Sequence, residues 1–253
     1  MHYNIKYYSR NKAEKRDKFY KSLPSFYKNG LDTNKIFFDF INEGVKNIRK
    51  ISGNKTIKIL DLGTGTGYVP LILSQILDGN FKITGVDMSK EMLEVAKNKT
   101  SKPNIDFIRA DNKKLPFIDN GVDIITNRLS TQFNIEEINR VLRKEGYFVF
   151  KEYGRYKGFK EISEIFRGRY NHPLKTPIDY MDELYLFGFR DITLRTFLIN
   201  RFYTIQEIKE IFEMSNLIKN FTDKDLTIIK KKLFKNKNKI KIISDPFIMF
   251  ARK

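Results

Sequence analysis

The sequence predicts an α/β protein built on one doubly wound, mostly parallel β-sheet. Between residues 57 and 152, short apolar segments rich in strand-forming residues alternate with segments of helical periodicity. A glycine-rich turn joins the first of these strands to the helix that follows it. Two further strand-like segments occur after residue 188, and strands that follow a βαβ series in this way imply an antiparallel edge.

The first strand, turn and helix organise the rest of the chain. An apolar run at 57–62 is followed by Gly63, Gly65 and Gly67 and then by a helical segment at 68–77. Glycine allows the positive φ angles of a tight turn, and its missing Cβ lets a ligand approach the backbone. Because the free N–H groups at the start of the helix point toward such a ligand, this order is typical of a nucleotide-binding unit.

The spacing of the glycines excludes two common phosphate-binding motifs. A dinucleotide fingerprint needs a glycine at the sixth position counted from Gly63, where this chain has Tyr68. A P-loop needs Gly-Lys-Ser/Thr, which the turn lacks. Asp61 precedes the turn instead, and an acid at this place suits a ligand with a cationic or hydroxyl-rich edge better than a pyrophosphate.

Two motifs carry a resemblance to a known family. The run Asp-Leu-Gly-Thr-Gly-Thr-Gly at 61–67 resembles the first motif of class I S-adenosylmethionine-dependent methyltransferases. The run Ala-Asp-x-x-x-Leu-Pro-Phe at 110–117 resembles a later motif of the same family. The resemblance is strong over residues 55–152 and looser after residue 188. It implies a Rossmann-like, seven-stranded sheet with an antiparallel last strand, and S-adenosyl-L-methionine as cofactor.

Three acids mark successive strand ends of the predicted sheet. Asp87 ends the second strand, where a carboxylate can accept two hydrogen bonds from a ribose diol. In the family that the chain resembles, an acid at the position of Asp111 receives the adenine amino group. Since the carboxyl ends of parallel strands meet at one crevice, we expect Asp61, Asp87 and Asp111 to share a site. The predicted strands after the first lie at 81–87, 104–110, 121–126 and 147–152, with helices at 91–99 and 136–143.

An N-terminal cap and two insertions surround the predicted cofactor domain. Residues 1–52 form a helical, aromatic-rich cap, and residues 53–253 form the methyltransferase domain. The insertions lie at about 154–175 and 203–238, and the second is helical and precedes the last strand. In the family that the chain resembles, such a cap folds over the cofactor and the acceptor. Ordinary packing against the sheet is the alternative for any single tyrosine of the cap.

Shorter elements complete the prediction. Helices are expected at 13–20 and 33–51 in the cap, and one long strand is expected at 189–199. Phe212 and Met214 either line a lid or pack in a core, and we favour the core.

The candidate site residues fall into a cofactor set and a catalytic set. The cofactor set is Asp61, Gly63, Thr64, Gly65, Gly67, Asp87, Met88, Asp111, Asn112 and Asn127. The catalytic set is Asn127, Arg128, Tyr153 and His172.

Each catalytic candidate has a structural alternative. The resemblance implies that Asn127 and Arg128 face the transferable methyl group, but a turn-forming amide and a surface charge are equal alternatives. It also implies that Glu152 and Tyr153 border the acceptor pocket. His172 is the only non-terminal histidine and therefore a candidate base, although a solvated loop histidine is the alternative that we favour.

Composition excludes several kinds of chemistry. The chain has no cysteine and only two histidines, so disulfides, thiolate nucleophiles, cysteine-ligated clusters and multi-histidine metal sites are excluded. We therefore expect no metal. The polar N-terminus lacks the apolar stretch of a signal peptide, and no apolar run has bilayer-spanning length. We expect a cytoplasmic protein with no membrane partner.

The net charge of +18 leaves the acceptor class open. Residues 1–55 carry +8, residues 56–152 carry +1 and residues 153–253 carry +9, so both flanks of the cofactor domain are basic. Basic flanks suit an RNA acceptor, but a lysine-rich proteome gives the same pattern without any binding role. We favour a small-molecule acceptor over RNA, and a non-catalytic cofactor-binding protein is the third hypothesis.

Overall fold

The computed structural model describes residues 14, 32–130, 133–235 and 237–253. The strands are β1 (Ile57–Leu62), β2 (Phe81–Asp87), β3 (Ile105–Arg109), β4 (Val122–Arg128), β5 (Leu142–Tyr153), β6 (Arg190–Thr196), β7 (Ile199–Tyr203), β8 (Ile240–Ser244) and β9 (Pro246–Arg252). The helices are α1 (Thr33–Ser52), α2 (Tyr68–Ile76), α3 (Lys90–Lys97), α4 (Ile135–Val141), α5 (Lys160–Ile165), α6 (Pro177–Leu186), α7 (Ile205–Met214) and α8 (Asp223–Ile229), the last continued by a π-helical turn, Lys230–Phe234.

Seven strands form one sheet in the order β3-β2-β1-β4-β5-β9-β6. Strands β1 to β5 pair in parallel with their neighbours, whereas β9 runs antiparallel to both β5 and β6. The predicted α/β class and the antiparallel last strand are therefore confirmed. Because β1 lies between β2 and β4, the strand order reverses there, and a crevice opens at the carboxyl ends of β1 and β4.

Helix α1 covers one face of the sheet. Its N-cap residue Asp32 accepts hydrogen bonds from the backbone N–H groups of Asn34 (2.9 Å) and Lys35 (3.1 Å). The buried side chains of α1 recur at helical spacing and pack with Val149 and Phe250 of the sheet. The start of α1 therefore lies near the carboxyl end of β5, where Thr33 and Asn34 contact the strand.

The strand predicted at 189–199 is wrong as a single element. The chain makes β6 in the main sheet, leaves strand geometry at Phe197 and Leu198, and then makes β7, which pairs with β8 in a separate two-stranded sheet. Leu198 is exposed, so the apolar periodicity of the segment does not follow one buried face. The insertion predicted at 203–238 is therefore bounded by two paired strands.

Strand β5 begins earlier than predicted, at Leu142, and α4 ends at Val141. Gly146, between the predicted helix at 136–143 and the predicted strand at 147–152, lies within β5, opposite a register shift between Val122 and Ile124 of β4. A Cβ on Gly146 would lie only 2.8 Å from the Asp123 carbonyl oxygen. The glycine therefore allows β4 and β5 to approach closely at this point.

The segments predicted as two insertions share one hydrophobic core. Phe159 and Phe166 from the first pack in the same buried cluster as Phe212 and Phe234 from the second, and Ile242 of β8 joins them. Phe212 is fully buried, in agreement with its interpretation as a core residue. We call this part of the fold the inserted unit; it consists of α5, β7, α7, α8 and β8. It is joined to the sheet beside the carboxyl end of β5 through hydrogen bonds to Asp245.

Apart from Glu14, which is helical, the predicted helix at 13–20 lies outside the described residues, as does most of the aromatic cap. Among residues 32–130, 133–235 and 237–253, no helix combines the length and apolar character needed to cross a bilayer. Within the same ranges, no three His, Cys, Asp or Glu side chains are grouped so that they could hold a metal ion.

Candidate functional site

The glycine turn between β1 and α2 contains one position that is open to a ligand. Gly63, Gly65 and Gly67 all have positive φ, at 62°, 56° and 80°. A Cβ on Gly63 would overlap the Ser130 side chain, and a Cβ on Gly67 would lie 2.9 Å from the ring of Phe107. A Cβ on Gly65 would meet no atom of a described residue within 4 Å. Packing therefore accounts for the first and third glycines, whereas the surface above Gly65 is free for a ligand.

Asp87, at the end of β2, orders this turn. Its Oδ2 accepts the backbone N–H of Gly65 at 2.9 Å, and its Oδ1 accepts the N–H of Ser89 at 2.9 Å. A carboxylate has about four acceptor positions, and these two backbone N–H groups use two of them. Asp87 can therefore hold the turn and accept a ligand diol at the same time.

Asp61 is the buried acid of the site, with 1% of its surface exposed. Thr126 donates its hydroxyl hydrogen to Oδ1 at 2.7 Å. Burial raises the pKa of Asp61 to about 7, although the hydroxyls of Thr64 and Thr126 and the charge of Arg128 oppose that rise. A cationic ligand group beside Asp61 would stabilise its ionised form, as expected for an ammonium or sulfonium.

The turn after β3 carries Asp111 and Asn112. Asp111 is exposed, and its Oδ1 accepts the backbone N–H of Lys113 at 2.9 Å, which closes the turn. Asn112 is buried, and its Nδ2 lies 3.4 Å from the Ser130 hydroxyl. The Oδ1 of Asn112 makes no hydrogen bond to any residue that the structure describes, so this buried acceptor is available to a ligand. Met88 is partly exposed at the end of β2.

Asn127 and Arg128, at the end of β4, have different environments. Asn127 is fully buried, and its Nδ2 donates to the carbonyl oxygens of Ser130 (2.9 Å) and Leu62 (3.4 Å). These bonds favour the turn-forming role of Asn127. Arg128 is half-buried, with Nε 3.3 Å from Asn34 Oδ1 and its guanidinium 4.5 Å above the ring of Tyr68. Arg128 is therefore a packed side chain at the crevice.

Sequence reasoning missed Lys151, which lies opposite Arg128 in the β4–β5 ladder. Only 3% of Lys151 is exposed, and its Nζ donates to Thr33 Oγ1 at 2.7 Å and Asn34 Oδ1 at 2.6 Å. Burial, followed by the charges of Arg128 and Arg201, lowers the pKa of Lys151 to about 6. The available signal was a lysine at the end of an otherwise apolar central strand.

Glu152, on the other face of β5, is also buried, with 5% exposed. Its Oε1 makes no hydrogen bond to a described residue. Burial raises the pKa of Glu152 to about 8, and the backbone N–H of Tyr153 and the charges of Lys157 and Arg128 offset part of that rise. Glu152 is therefore a protonated carboxyl at neutral pH, while Tyr153 beside it is half-buried.

His172 lies in the first insertion and is exposed. Its Nδ1 is 3.0 Å from the carbonyl oxygen of Arg155, and its ring centroid is 5.2 Å from that of Tyr170. These contacts stay within the inserted segment and favour the solvated-loop interpretation. A role as base is still only a prediction.

Comparisons with known proteins agree with this geometry. Residues 53–167 match the family model of a methyltransferase domain. Demethylmenaquinone methyltransferase of Staphylococcus aureus is 36% identical over 115 residues, which cover 42% of this chain and 48% of that protein. The chain thus spans about half the length of the curated relatives that it matches.

Solved structures show the same fold. The YcgJ protein of Bacillus subtilis has a TM-score of 0.57 and 19% identity, and the match covers 83% of this chain and 98% of that one. Phosphoethanolamine N-methyltransferase 2 of Haemonchus contortus, solved with S-adenosyl-L-methionine, has a TM-score of 0.56 and 18% identity, over 97% of this chain and 57% of that one. The strand order, the glycine turn and the family match identify residues 53–167 as a class I S-adenosylmethionine-dependent methyltransferase domain.

Proposed function

We propose that this protein binds S-adenosyl-L-methionine at the glycine turn and transfers its methyl group to a small molecule. The observation that carries the proposal is the open surface above Gly65, whose N–H is held by Asp87, with the buried Asp61 near the end of the strand that enters the turn. When bound, the cofactor supplies a methyl group on a sulfonium, from which an incoming nucleophile displaces a neutral thioether. The residues of the chain bind, orient and desolvate the reactants.

The residues present fit this cofactor. Asp87 would accept the ribose hydroxyls, Asp61 would face the cationic part, and Asn112 Oδ1 would accept an amino hydrogen near the adenine. A half-buried Arg128 and a buried, neutral Glu152 stand at the ends of β4 and β5, on the acceptor side of the crevice. In-line transfer needs alignment more than it needs a strong base, so this set is sufficient.

Removing the Asp87 carboxylate tests the cofactor site. We expect Asp87→Ala to weaken S-adenosyl-L-methionine binding by about 1–3 kcal/mol, because the ribose loses its acceptor and the Gly65 N–H loses its partner. Calorimetric titration measures the loss. Asp106→Ala is the control, because this exposed acid on β3 pairs only with Lys82 among described residues. Equal affinity of wild type and Asp87→Ala would refute the role of Asp87.

The class of acceptor is a separate question. The curated relatives are named for a small-molecule substrate, demethylmenaquinone, which supports a small acceptor. The basic surface of the second insertion favours RNA instead, because Lys230, Lys231 and Lys232 are exposed and form no ion pair with a described residue. Labelled-cofactor assays with a metabolite extract and with total RNA, each with and without ribonuclease, distinguish the two classes.

The lysine surface gives a quantitative test of the acceptor class. For a small acceptor, replacing Lys230 and Lys231 with glutamine leaves turnover unchanged, because these side chains are only solvated. For RNA, affinity falls steeply with salt, and the slope of log affinity against log salt drops by about one for each lost contact. Salt-sensitive RNA binding together with RNA-dependent turnover would overturn the small-molecule proposal.

A further inference from the structure

We propose that the methyl acceptor carries an anionic group, a carboxylate or a phosphate, and that Arg128 binds this group. Lys151 lies next to Arg128 on the adjacent strand. This inference rests on the proposed function, since it names the substrate class of the same site. The two side chains come from adjacent strands and are direct neighbours in the β4–β5 ladder. They meet at the oxygen of one side chain, Asn34 Oδ1, which accepts from both.

Arg128 is held in an orientation that leaves its outer edge available. Its Nε is used by Asn34, and its face lies on the ring of Tyr68. Its two terminal nitrogens make no hydrogen bond to any residue in the described ranges, and Arg128 forms no ion pair there. A guanidinium fixed by stacking and by Nε presents two parallel N–H groups, which is the geometry that binds a carboxylate or phosphate.

Among the described residues, positive charge outweighs negative charge around Lys151. The groups that act on it are Arg128 from β4, Arg201 from β7 and Asp32 before α1, so two cations oppose one carboxylate. That carboxylate also caps α1 by accepting two backbone N–H groups. Asp61 and Glu152 act on Arg128, but burial raises the pKa of both, and near neutral pH they hold protons for much of the time.

The hydrogen bonds of Lys151 Nζ are those that a neutral amine can make. A neutral amine has two N–H hydrogens, and Nζ has two oxygen partners, Thr33 Oγ1 and Asn34 Oδ1. A third N–H, present only in the ammonium, has no acceptor among the described residues. An anion placed against Arg128 would supply the missing negative charge and thereby raise the pKa of Lys151.

The acceptor is a better source of this anion than the cofactor. The glycine turn and its acids lie on the β1 and β2 side of the crevice, whereas Arg128 and Lys151 lie on β4 and β5. Arg201 of β7, in the inserted β7–β8 sheet, is close enough for its charge to act on Lys151. Insertions are where related folds vary in the ligands that they accept. The methionine carboxylate of the cofactor is the competing source, and the experiment must separate the two.

The test uses two anionic probes, benzoate and phenyl phosphate, and their neutral counterpart benzamide. Each is titrated into the full chain with and without saturating S-adenosylhomocysteine. We expect both anions to bind at least about tenfold more tightly than benzamide. We also expect Arg128→Gln to lose this preference and to bind S-adenosylhomocysteine within about threefold of wild type.

Control variants keep the test independent of folding. Arg128→Lys retains the charge but not the two parallel N–H groups, so its anion affinity should lie between wild type and Arg128→Gln. Arg49→Gln removes an arginine from the last turn of α1, at the far end of the helix from Asn34, and should bind the probes as wild type does. Circular dichroism establishes that each variant is folded.

A second readout follows Lys151 directly. In protein labelled with ¹³C at the lysine Cε, the Lys151 signal, assigned with Lys151→Arg, should titrate near pH 6 without probe. A saturating anion should move this midpoint upward by at least about one pH unit, whereas benzamide should leave it unchanged. Anion binding should therefore take up a proton at pH 7 and weaken as the pH rises toward 8.

Three results would overturn the inference. These are equal binding of benzamide and benzoate, a Lys151 midpoint that no anion moves, and a loss of S-adenosylhomocysteine affinity in Arg128→Gln that matches its loss of probe affinity. The third result would assign Arg128 to the cofactor carboxylate. Failure of the proposed function would look different, because wild type would then bind no S-adenosylhomocysteine. The probe titrations without S-adenosylhomocysteine would still decide whether the anion site exists.

Discussion

Replacing Gly65 with valine should reduce S-adenosyl-L-methionine affinity by at least about 100-fold while the protein remains folded. No atom of the residues that the structure describes lies within 4 Å of a Cβ on Gly65, so the valine side chain would stand where the ligand must approach the backbone. Its N–H is also the group that Asp87 holds, and a shift of this turn would move the carboxylate. Calorimetric titration gives the affinity, and urea unfolding gives the stability.

The control for this substitution is Gly188→Val. Gly188 has a φ of 80°, and a Cβ there also meets no atom within 4 Å in the described ranges, but the residue follows α6 and is far along the chain from the turn. Both variants should lose about 1–2 kcal/mol of stability, because valine strains a left-handed backbone. Only Gly65→Val should lose binding. Normal cofactor binding by Gly65→Val would show that the turn does not cradle the ligand.

The cofactor side of the site could be predicted because it depends on local backbone chemistry. A turn with positive φ at three positions requires glycines, and a crevice at parallel strand ends brings together whatever residues end those strands. Asp61 and Asp87 could be placed on these grounds alone. The sequence did not show that the three glycines have different roles. Gly63 and Gly67 allow neighbouring side chains to pack closely, whereas Gly65 faces the ligand.

The acceptor side could not be predicted in the same way. Lys151 is buried because Thr33 and Asn34, more than a hundred residues earlier in the chain, supply its hydrogen-bond acceptors. No periodicity within β5 contains that information. The separate β7–β8 sheet was missed for a related reason, since pairing with a distant strand, and not local pattern, divides the segment at 189–199 into two elements.

Glu152→Gln should change how the free energy of unfolding depends on pH. In the folded protein Glu152 keeps its proton up to a pKa of about 8, whereas its ordinary value is 4.5. Between these values the folded state binds more protons than the unfolded state, so the free energy of unfolding falls as the pH rises. Glutamine is neutral at every pH and removes this loss. The variant should therefore gain stability relative to wild type between pH 5 and pH 8, by an amount on the order of 4 kcal/mol.

The comparison of variant and wild type isolates this one group. Asp61, with a pKa raised to about 7, also lowers stability as the pH rises, and Lys151, with a pKa lowered to about 6, raises it above pH 6. Both groups are present in the two proteins, so their effects cancel in the difference. The added amide hydrogens of glutamine give a constant offset, so the slope with pH is the quantity to measure by urea unfolding. Glu164→Gln, at an exposed position on α5, is the control for the same substitution outside the site. A flat difference for Glu152→Gln would mean that the Glu152 carboxyl is ionised in the folded protein and has a partner there.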